Sequence, residues 1–175
     1  MSEHMPNWFF HLMAFGFKLR DYLQSRDKII ADIGIKPGDS VLDYGCGPGS
    51  YILPIYRLVG DAGKIYAADI HPLAIKYVQD LSRKKRLFNV ITIRSGNGTQ
   101  LEDSCIDVAL LYDILHDLAD AETIFRELSR VMKPDGILSV NDHHLEEEQI
   151  IRRVTQCGLF RLICKTQQTI KFAKM

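Results

Sequence analysis

The chain has no excess charge of either sign. Its 22 Lys and Arg are matched by 22 Asp and Glu over 175 residues, which excludes the broad cationic field of a nucleic-acid-binding protein. Cysteines are few, at positions 46, 105, 157 and 164, with no C-x-x-C pair and no histidine at zinc-ligand spacing. Neither a disulfide framework nor a metal site is signalled, and a reducing cytoplasm fits best. No hydrophobic run is long enough to span a bilayer: the apolar stretch Pro6 to Phe17 is too short, and no basic leader or small-residue cleavage site accompanies it. Repeats and low-complexity linkers are also missing. With 46% hydrophobic residues, the length suits one domain and is short for two. The expectation is a single domain over 1–175, with a helical cap at 1–35 and a core at 36–175. The basic run Arg83-Lys84-Lys85-Arg86 and the acidic run Glu146-Glu147-Glu148 read as solvated helix ends, where each sign suits the helix dipole.

After residue 40, short β-rich runs alternate with longer segments of helical period. Strands are expected at 40–44, 64–69, 89–94, 106–111 and 136–141, and helices near 49–59, 72–86, 119–132 and 146–157. This alternation predicts a doubly wound α/β fold with a parallel sheet. Lys133-Pro134-Asp135-Gly136 pairs a helix breaker with a turn glycine and ends the third of these helices. Beyond Gly158, the runs 159–164 and 169–174 read as an antiparallel hairpin, giving seven strands with one reversed. Upstream, Trp8 to Phe17 predicts an aromatic helix and 18–33 a second one, placed to cover the ligand-binding edge.

Val41-Leu42-Asp43-Tyr44-Gly45-Cys46-Gly47-Pro48-Gly49-Ser50 joins a buried strand to a glycine-rich turn and a helix. Glycines at alternate positions allow a sharp turn, let the backbone approach a ligand and aim a helix N-terminus at an anion. Asp69 ends the next strand, where open α/β sheets place a carboxylate on a ribose hydroxyl. A nucleoside-containing cofactor is therefore expected. The G-x-G-x-x-G spacing of nicotinamide binding fails, because Ser50 stands where its third glycine is needed and Gly49 comes one residue early. The form is D-x-G-x-G-x-G.

Together with the strand count, this resembles motif I of the class I S-adenosylmethionine-dependent methyltransferases, over roughly residues 36 to 175, with Lys36-Pro37-Gly38-Asp39 leading into the first strand. The resemblance implies a Rossmann-like fold, S-adenosylmethionine as cofactor and S-adenosylhomocysteine as product. It implies a cofactor site framed by Asp43, Gly45, Gly47 and Gly49, with Tyr44 and Cys46 in the same loop. Asp69 matches the acid on the ribose diol, and Ile70 matches the apolar residue against adenine. The Gly45 carbonyl would accept from the methionyl ammonium, while the helix N-terminus favours its carboxylate. Gly96-Asn97-Gly98 sits where the family usually has Gly-Asp-Ala, so Asn97 and the Gly98 amide are expected to read adenine, without charge assistance. Tyr112 belongs to Asp103–Asp113 and the residues after it, a stretch that resembles the motif beside the methyl donor.

A base is needed only for an acceptor that is protonated at neutral pH, and His116, His143 and His144 are the candidates. For His116, packing or helix capping stands as an equal alternative. No large insertion lies between strands and the Asn-Pro-Pro-Tyr signature of many amino-methylating enzymes is absent, so a small-molecule acceptor is expected. Trp8, Phe9, Phe10, Phe15 and Tyr22 are candidate pocket walls, with packing onto the sheet or a dimer contact as the rival reading. An interfacial helix is less favoured, because the segment lacks a basic polar face. A non-catalytic S-adenosylmethionine-binding sensor or partner subunit is the alternative function, and a monomer or homodimer is expected.

Overall fold

The computed structural model describes residues 6–23, 26–96 and 98–175, and for Lys18, Tyr22 and Leu23 the backbone alone. The seven expected strands are β1 (Ser40–Tyr44), β2 (Lys64–Asp69), β3 (Val90–Arg94), β4 (Ile106–Tyr112), β5 (Met132–Asn141), β6 (Phe160–Lys165) and β7 (Ile170–Lys174). They form one sheet in the order β3-β2-β1-β4-β5-β7-β6. β7 runs antiparallel to both of its neighbours, and the first five strands pair in parallel. The helices are α1 (Asn7–Leu23), α2 (Asp27–Ala31), α3 (Ile52–Val59), α4 (Pro72–Lys85), α5 (Ala121–Val131) and α6 (Glu147–Thr155).

The central strands are apolar over most of their length because both of their faces are covered. In β4, Val108 and Leu110 pack with Ile52, Ile55 and Val78 of α3 and α4, while Ala109 and Leu111 face Phe125, Leu128 and Ile150 of α5 and α6. Each such side chain, fully buried, stabilises the fold by roughly 1.5–3 kcal/mol. Caps fix the helix starts. The His71 ring accepts from the Leu73 amide ahead of Pro72, Asp120 accepts from the Thr123 amide, and Glu146 with Gln149 forms a capping box. Both charge runs lie at helix ends, Arg83 to Lys85 closing α4 and Glu146 to Glu148 opening α6.

Two expectations are corrected. The segments 8–17 and 18–33 are not two helices divided at Phe17: α1 runs through to Leu23, because nothing at 17–18 breaks a helix, and α2 is a short turn at Asp27–Ala31. Strand five begins at Met132, not at 136. Lys133-Pro134-Asp135-Gly136 forms a bulge within the strand, with Met132 paired to Ile106 and Ile137 already paired to Val108. Pro134 is tolerated there because the excursion leaves the ladder that its missing N–H would interrupt. No described helix is long and apolar enough to cross a membrane.

Candidate functional site

The strand order reverses direction between β1 and β4, and the carboxyl ends of these two strands open the crevice in which such sheets bind ligands. A cavity of about 410 Å³ lies there, lined from β1 and its loop by Asp43, Gly45, Cys46 and Gly47, and from β4 and beyond by Tyr112, Ile114 and His116. His143 and His144 close it after β5, and Phe9, Met13, Phe17 and Arg20 of α1 roof it. Beside it is a cleft of about 100 Å³ bounded by Tyr44, Asp69, Ile70, Ser95 and Leu118. Gly45 and Ile114 line both spaces and form the partition between them. A larger groove of about 590 Å³ runs behind the loop along α3 and α4, bounded by Arg57, Asp80 and Lys84. Nothing from β4 or β5 reaches it, so the chemistry is assigned to the switch-point cavity.

The loop glycines differ in what they make room for. Gly45 has φ +83°, and a Cβ there would lie 2.6 Å from Ile114 Cδ1. Gly47 faces open space, with nothing within 4 Å of where its Cβ would be. Gly49 meets Val78 and Ile52 and stands outside both spaces at the crevice, so its role here is to let the loop seat on α4. The Gly45 and Cys46 amides both bond the Ala68 carbonyl, at 2.8 and 3.0 Å, which clamps the turn to β2. Asp69 accepts from the Gly47 amide at 2.9 Å and the His71 amide at 2.8 Å. Two of its lone pairs are thereby used for holding the loop. α3 does not start until Ile52, and the buried Ser50 hydroxyl of the cavity wall has no hydrogen-bond partner.

Asp43 is 1% exposed, and its Oδ2 is buried without a partner. Burial, reinforced by the charge of Asp69, pushes its carboxyl up to about 7. An acid raised this far above its ordinary 3.8 keeps its proton in the folded chain after the unfolded chain has lost it. The stability it contributes is fully present below about pH 4 and is lost as pH rises through about 7. Asp43→Asn should therefore melt higher than the parent protein at pH 8 and alongside it at pH 4, by thermal denaturation without ligand. Equal melting points at pH 8 would refute the assignment. Burial likewise pushes the Cys46 thiol well up, as expected of a packed cysteine and not a nucleophile.

At the far wall, a 3₁₀ turn at Leu115–Asp117 presents His116. Asp113, at φ +55°, turns the chain out of β4, and Arg153 of α6 holds the turn through the Leu115 carbonyl at 3.1 Å. His116 Nδ1 lies 2.9 Å from Asp142 Oδ2, and the Asp142 side chain is wholly buried. Burial pushes that carboxyl up, but hydrogen bonds from the His116 ring and from the His116 and His144 amides outweigh it and hold Asp142 below its ordinary range. An ionised carboxylate only accepts, so a proton on Nδ1 points at Asp142, and Nε2 on the other side of the ring lies 3.6 Å from Asp117 Oδ1. His143 Nδ1 pairs with Asp113 at 2.6 Å, and Asp113 also lies 3.7 Å from Arg20 of α1. The His144 ring sits between the other two, with centroids 4.2 Å from His116 and 4.0 Å from His143. Among the described residues no group of three or more His, Cys, Asp and Glu side chains is placed to hold a metal ion.

Of the residues expected from sequence, Asp43, Gly45, Cys46, Gly47, Tyr112, His116, His143 and His144 come together at the larger cavity, and Tyr44, Asp69 and Ile70 at the cleft. Tyr112 is pinned through its hydroxyl to Ser139 at 2.8 Å. Gly98 lies outside both spaces, and its amide bonds the Ser95 carbonyl at 3.3 Å; Asn97 lies outside the described residues. The loop after Gly98 is anchored by Glu127, which takes the Thr99 amide at 2.8 Å and which Arg130, ahead of Thr99, pulls down to about 2. Of the candidate aromatic walls, Phe9 lines the cavity. Phe10 is buried and stacked on His71 at 4.4 Å, Trp8 and Phe15 face outward, and the Tyr22 side chain lies outside the described residues. Asp142, Asp113, Arg20, Met13, Phe17 and Ile114 are among the contributors that sequence reasoning did not assign to the site.

The family model described as a methyltransferase domain matches residues 35–173. The chain is 29% identical over 139 residues to the ubiquinone/menaquinone biosynthesis C-methyltransferase UbiE of Shewanella baltica, covering 78% of this chain and 55% of that protein. It is 30% identical over 130 residues to the 2-phytyl-1,4-naphtoquinone methyltransferase of Synechococcus elongatus, covering 73% of this chain and 56% of that one. The chain thus spans about half the length of the curated relatives it matches. Among solved structures, a SAM dependent methyltransferase from Aquifex aeolicus superimposes with a TM-score of 0.82 at 23% identity, over 93% of this chain and 98% of that one, a likeness of fold.

Proposed function

The chain belongs to the methyltransferase-domain family, and from that premise we propose that it binds S-adenosylmethionine at the carboxyl edge of β1 and β2 and methylates a small acceptor in the cavity roofed by α1. One convergence carries the reading: the buried, unpartnered carboxyl oxygen of Asp43 and the carboxylate-oriented ring of His116 belong to opposite walls of one cavity.

The residues present fit the cofactor. The open space over Gly47 is a cradle, and the orphan oxygens of Asp43 and Ser50 are the polar groups for which a ligand supplies partners. Asp43 and the Gly45 carbonyl would face the ammonium, Ser50 the carboxylate, Asp69 the ribose hydroxyls with its remaining lone pairs, and Ile70 the adenine. Bound S-adenosylmethionine supplies a methyl group on a sulfonium whose neutral thioether leaves without further activation. The chain's own tasks are then positioning and proton removal. Met13 and Phe17 of α1 cover the cavity and exclude water, and Tyr112, pinned by Ser139, keeps the floor rigid. Nε2 of His116 takes a proton from the acceptor, and Asp142 stabilises the resulting imidazolium. This suits an acceptor with an ionisable hydroxyl or an activated C–H, as the quinone-directed names of the relatives also favour.

Calorimetric titration with S-adenosylhomocysteine should show binding that Asp69→Ala weakens by roughly an order of magnitude or more, the scale of a lost charge-assisted hydrogen bond. No binding by the parent protein would sink the proposal. Binding without transfer to any compound of a broad acceptor panel would instead point to the non-catalytic sensor.

A further inference from the structure

α1 is apolar on two sides, and the core uses only one of them. Phe10 and Ala14 are buried against His71, Ala74 and Tyr77, while Met13 and Phe17 turn toward the cavity. On the opposite side Trp8, Leu12, Phe15 and Leu19 form a stripe at spacings of four, three and four, which is one face of a helix. Trp8 is 69% exposed and Phe15 67%, and no described element covers any of the four. A contiguous apolar stripe of this kind marks an interaction surface, whereas single exposed hydrophobics elsewhere do not.

The geometry points to a lipid bilayer surface as the occupant, with α1 lying in the interfacial plane and the rest of the protein on its aqueous side. Three features favour a membrane over a second copy of the chain. The stripe continues into the cavity through Phe9, which is both exposed and part of the cavity wall, so one apolar surface leads from outside to the place where an acceptor would bind. From Asn7 to Leu19 the sequence has no acidic residue and one charge, the positive Lys18, while Arg20 is paired with Asp21 at 3.1 Å and lies 3.7 Å from Asp113. That sign suits lipid phosphates. A stable dimer buries roughly 800 Å² on each partner, with about 20 residues or more a side, whereas the exposed apolar stripe is four side chains of one helix. The sequence-level objection that the segment has no basic polar face is answered by the fold, because the face a free amphipathic helix would give to water is here packed on α4. The inference extends the proposed methyl transfer by assigning the acceptor to a lipophilic, membrane-borne class, and it rests on that reading only for the acceptor.

Trp8 is the only tryptophan of the chain, so its emission reports the stripe directly. Titration with vesicles of phosphatidylethanolamine and phosphatidylglycerol should shift that emission to the blue, and brominated lipids should quench it. The double variant Leu12→Asp/Phe15→Asp should lose roughly tenfold or more in apparent vesicle affinity. Phe88→Asp, which changes a fully exposed ring beyond α4, should bind as the parent does. S-adenosylhomocysteine titration of the same proteins separates the two ideas: an unchanged cofactor affinity with vesicle binding lost supports the surface, whereas loss of cofactor binding in the parent protein strikes the methyltransferase reading alone. No spectral shift, or equal vesicle binding by the double variant, overturns the inference. So does a dimer in light scattering that Leu12→Asp/Phe15→Asp converts to a monomer.

Discussion

His116→Ala is expected to lower kcat by roughly 100- to 10,000-fold with any acceptor that needs a base, the range by which positioned proton transfer accelerates such steps. The S-adenosylhomocysteine affinity should stay within about twofold, because His116 lies across the cavity from the glycine loop proposed to hold the cofactor. The more incisive variant is Asp142→Asn. On the proposed reading the buried carboxylate accepts the Nδ1 proton and leaves Nε2 to act as the base. An asparagine amide that turns its NH2 toward Nδ1 would reverse this, placing the ring proton on Nε2, where it cannot act as a base. A wrong tautomer of this kind costs up to ~10,000-fold in hydrolytic triads. The fold should tolerate the change, since the remaining amide oxygen can still accept from one of the two backbone amides that Asp142 now serves. Unchanged kcat in both variants would reduce the pair to a packing device, the alternative that sequence alone leaves open.

The second large effect concerns the glycine loop. Gly45→Ala introduces a Cβ 2.6 Å from Ile114 Cδ1 and 2.7 Å from Cγ2, at φ +83°. Ile114 is itself buried, and both its γ- and δ-methyl carbons would have to move, which disturbs the partition between the two spaces. Left-handed strain of ~1–2 kcal/mol and overpacking of ~1–3 kcal/mol act together. At about 2–4 °C per kcal/mol for a chain of this size, the melting temperature should fall by roughly 4–20 °C. Adding Ile114→Ala should restore only the packing share. Gly47→Ala is the informative contrast: its Cβ would enter open space, so stability should fall by no more than the conformational strain while S-adenosylhomocysteine binding falls at least tenfold. If Gly47→Ala binds the product as well as the parent does, the open space above the loop is not where the cofactor lies.

The parts legible in the sequence are those in which neighbours along the chain are also neighbours in space. Asp43 to Ser50 is one strand, one turn and the approach to one helix, so its spacing already contains its geometry. Asp69 was reachable because it ends the strand adjacent to β1. The His116–Asp142 pair was not, since its members are 26 residues apart and meet only because β4 and β5 are parallel neighbours ending at one edge. The sequence does carry a signal: two polar clusters, each just beyond the end of an expected strand, in two consecutive strands. α1 escaped for a different reason, because its aromatic content says that the helix packs but not which side, and both sides are apolar. Pro134 misled the placement of strand five, since local propensity marks a break where the fold absorbs a bulge.

The position of β7 between β5 and β6 has a consequence for how the chain reaches this state. During synthesis the first five strands can assemble in order, each adding to an edge already formed, but the outer edge of β5 has no partner until residues 170–174 have emerged. Until then an apolar strand presents free backbone donors and acceptors to any other chain nearby. The hairpin completes the sheet only once both of its strands have been made, and a nascent chain stalled before it is the species most exposed to aggregation.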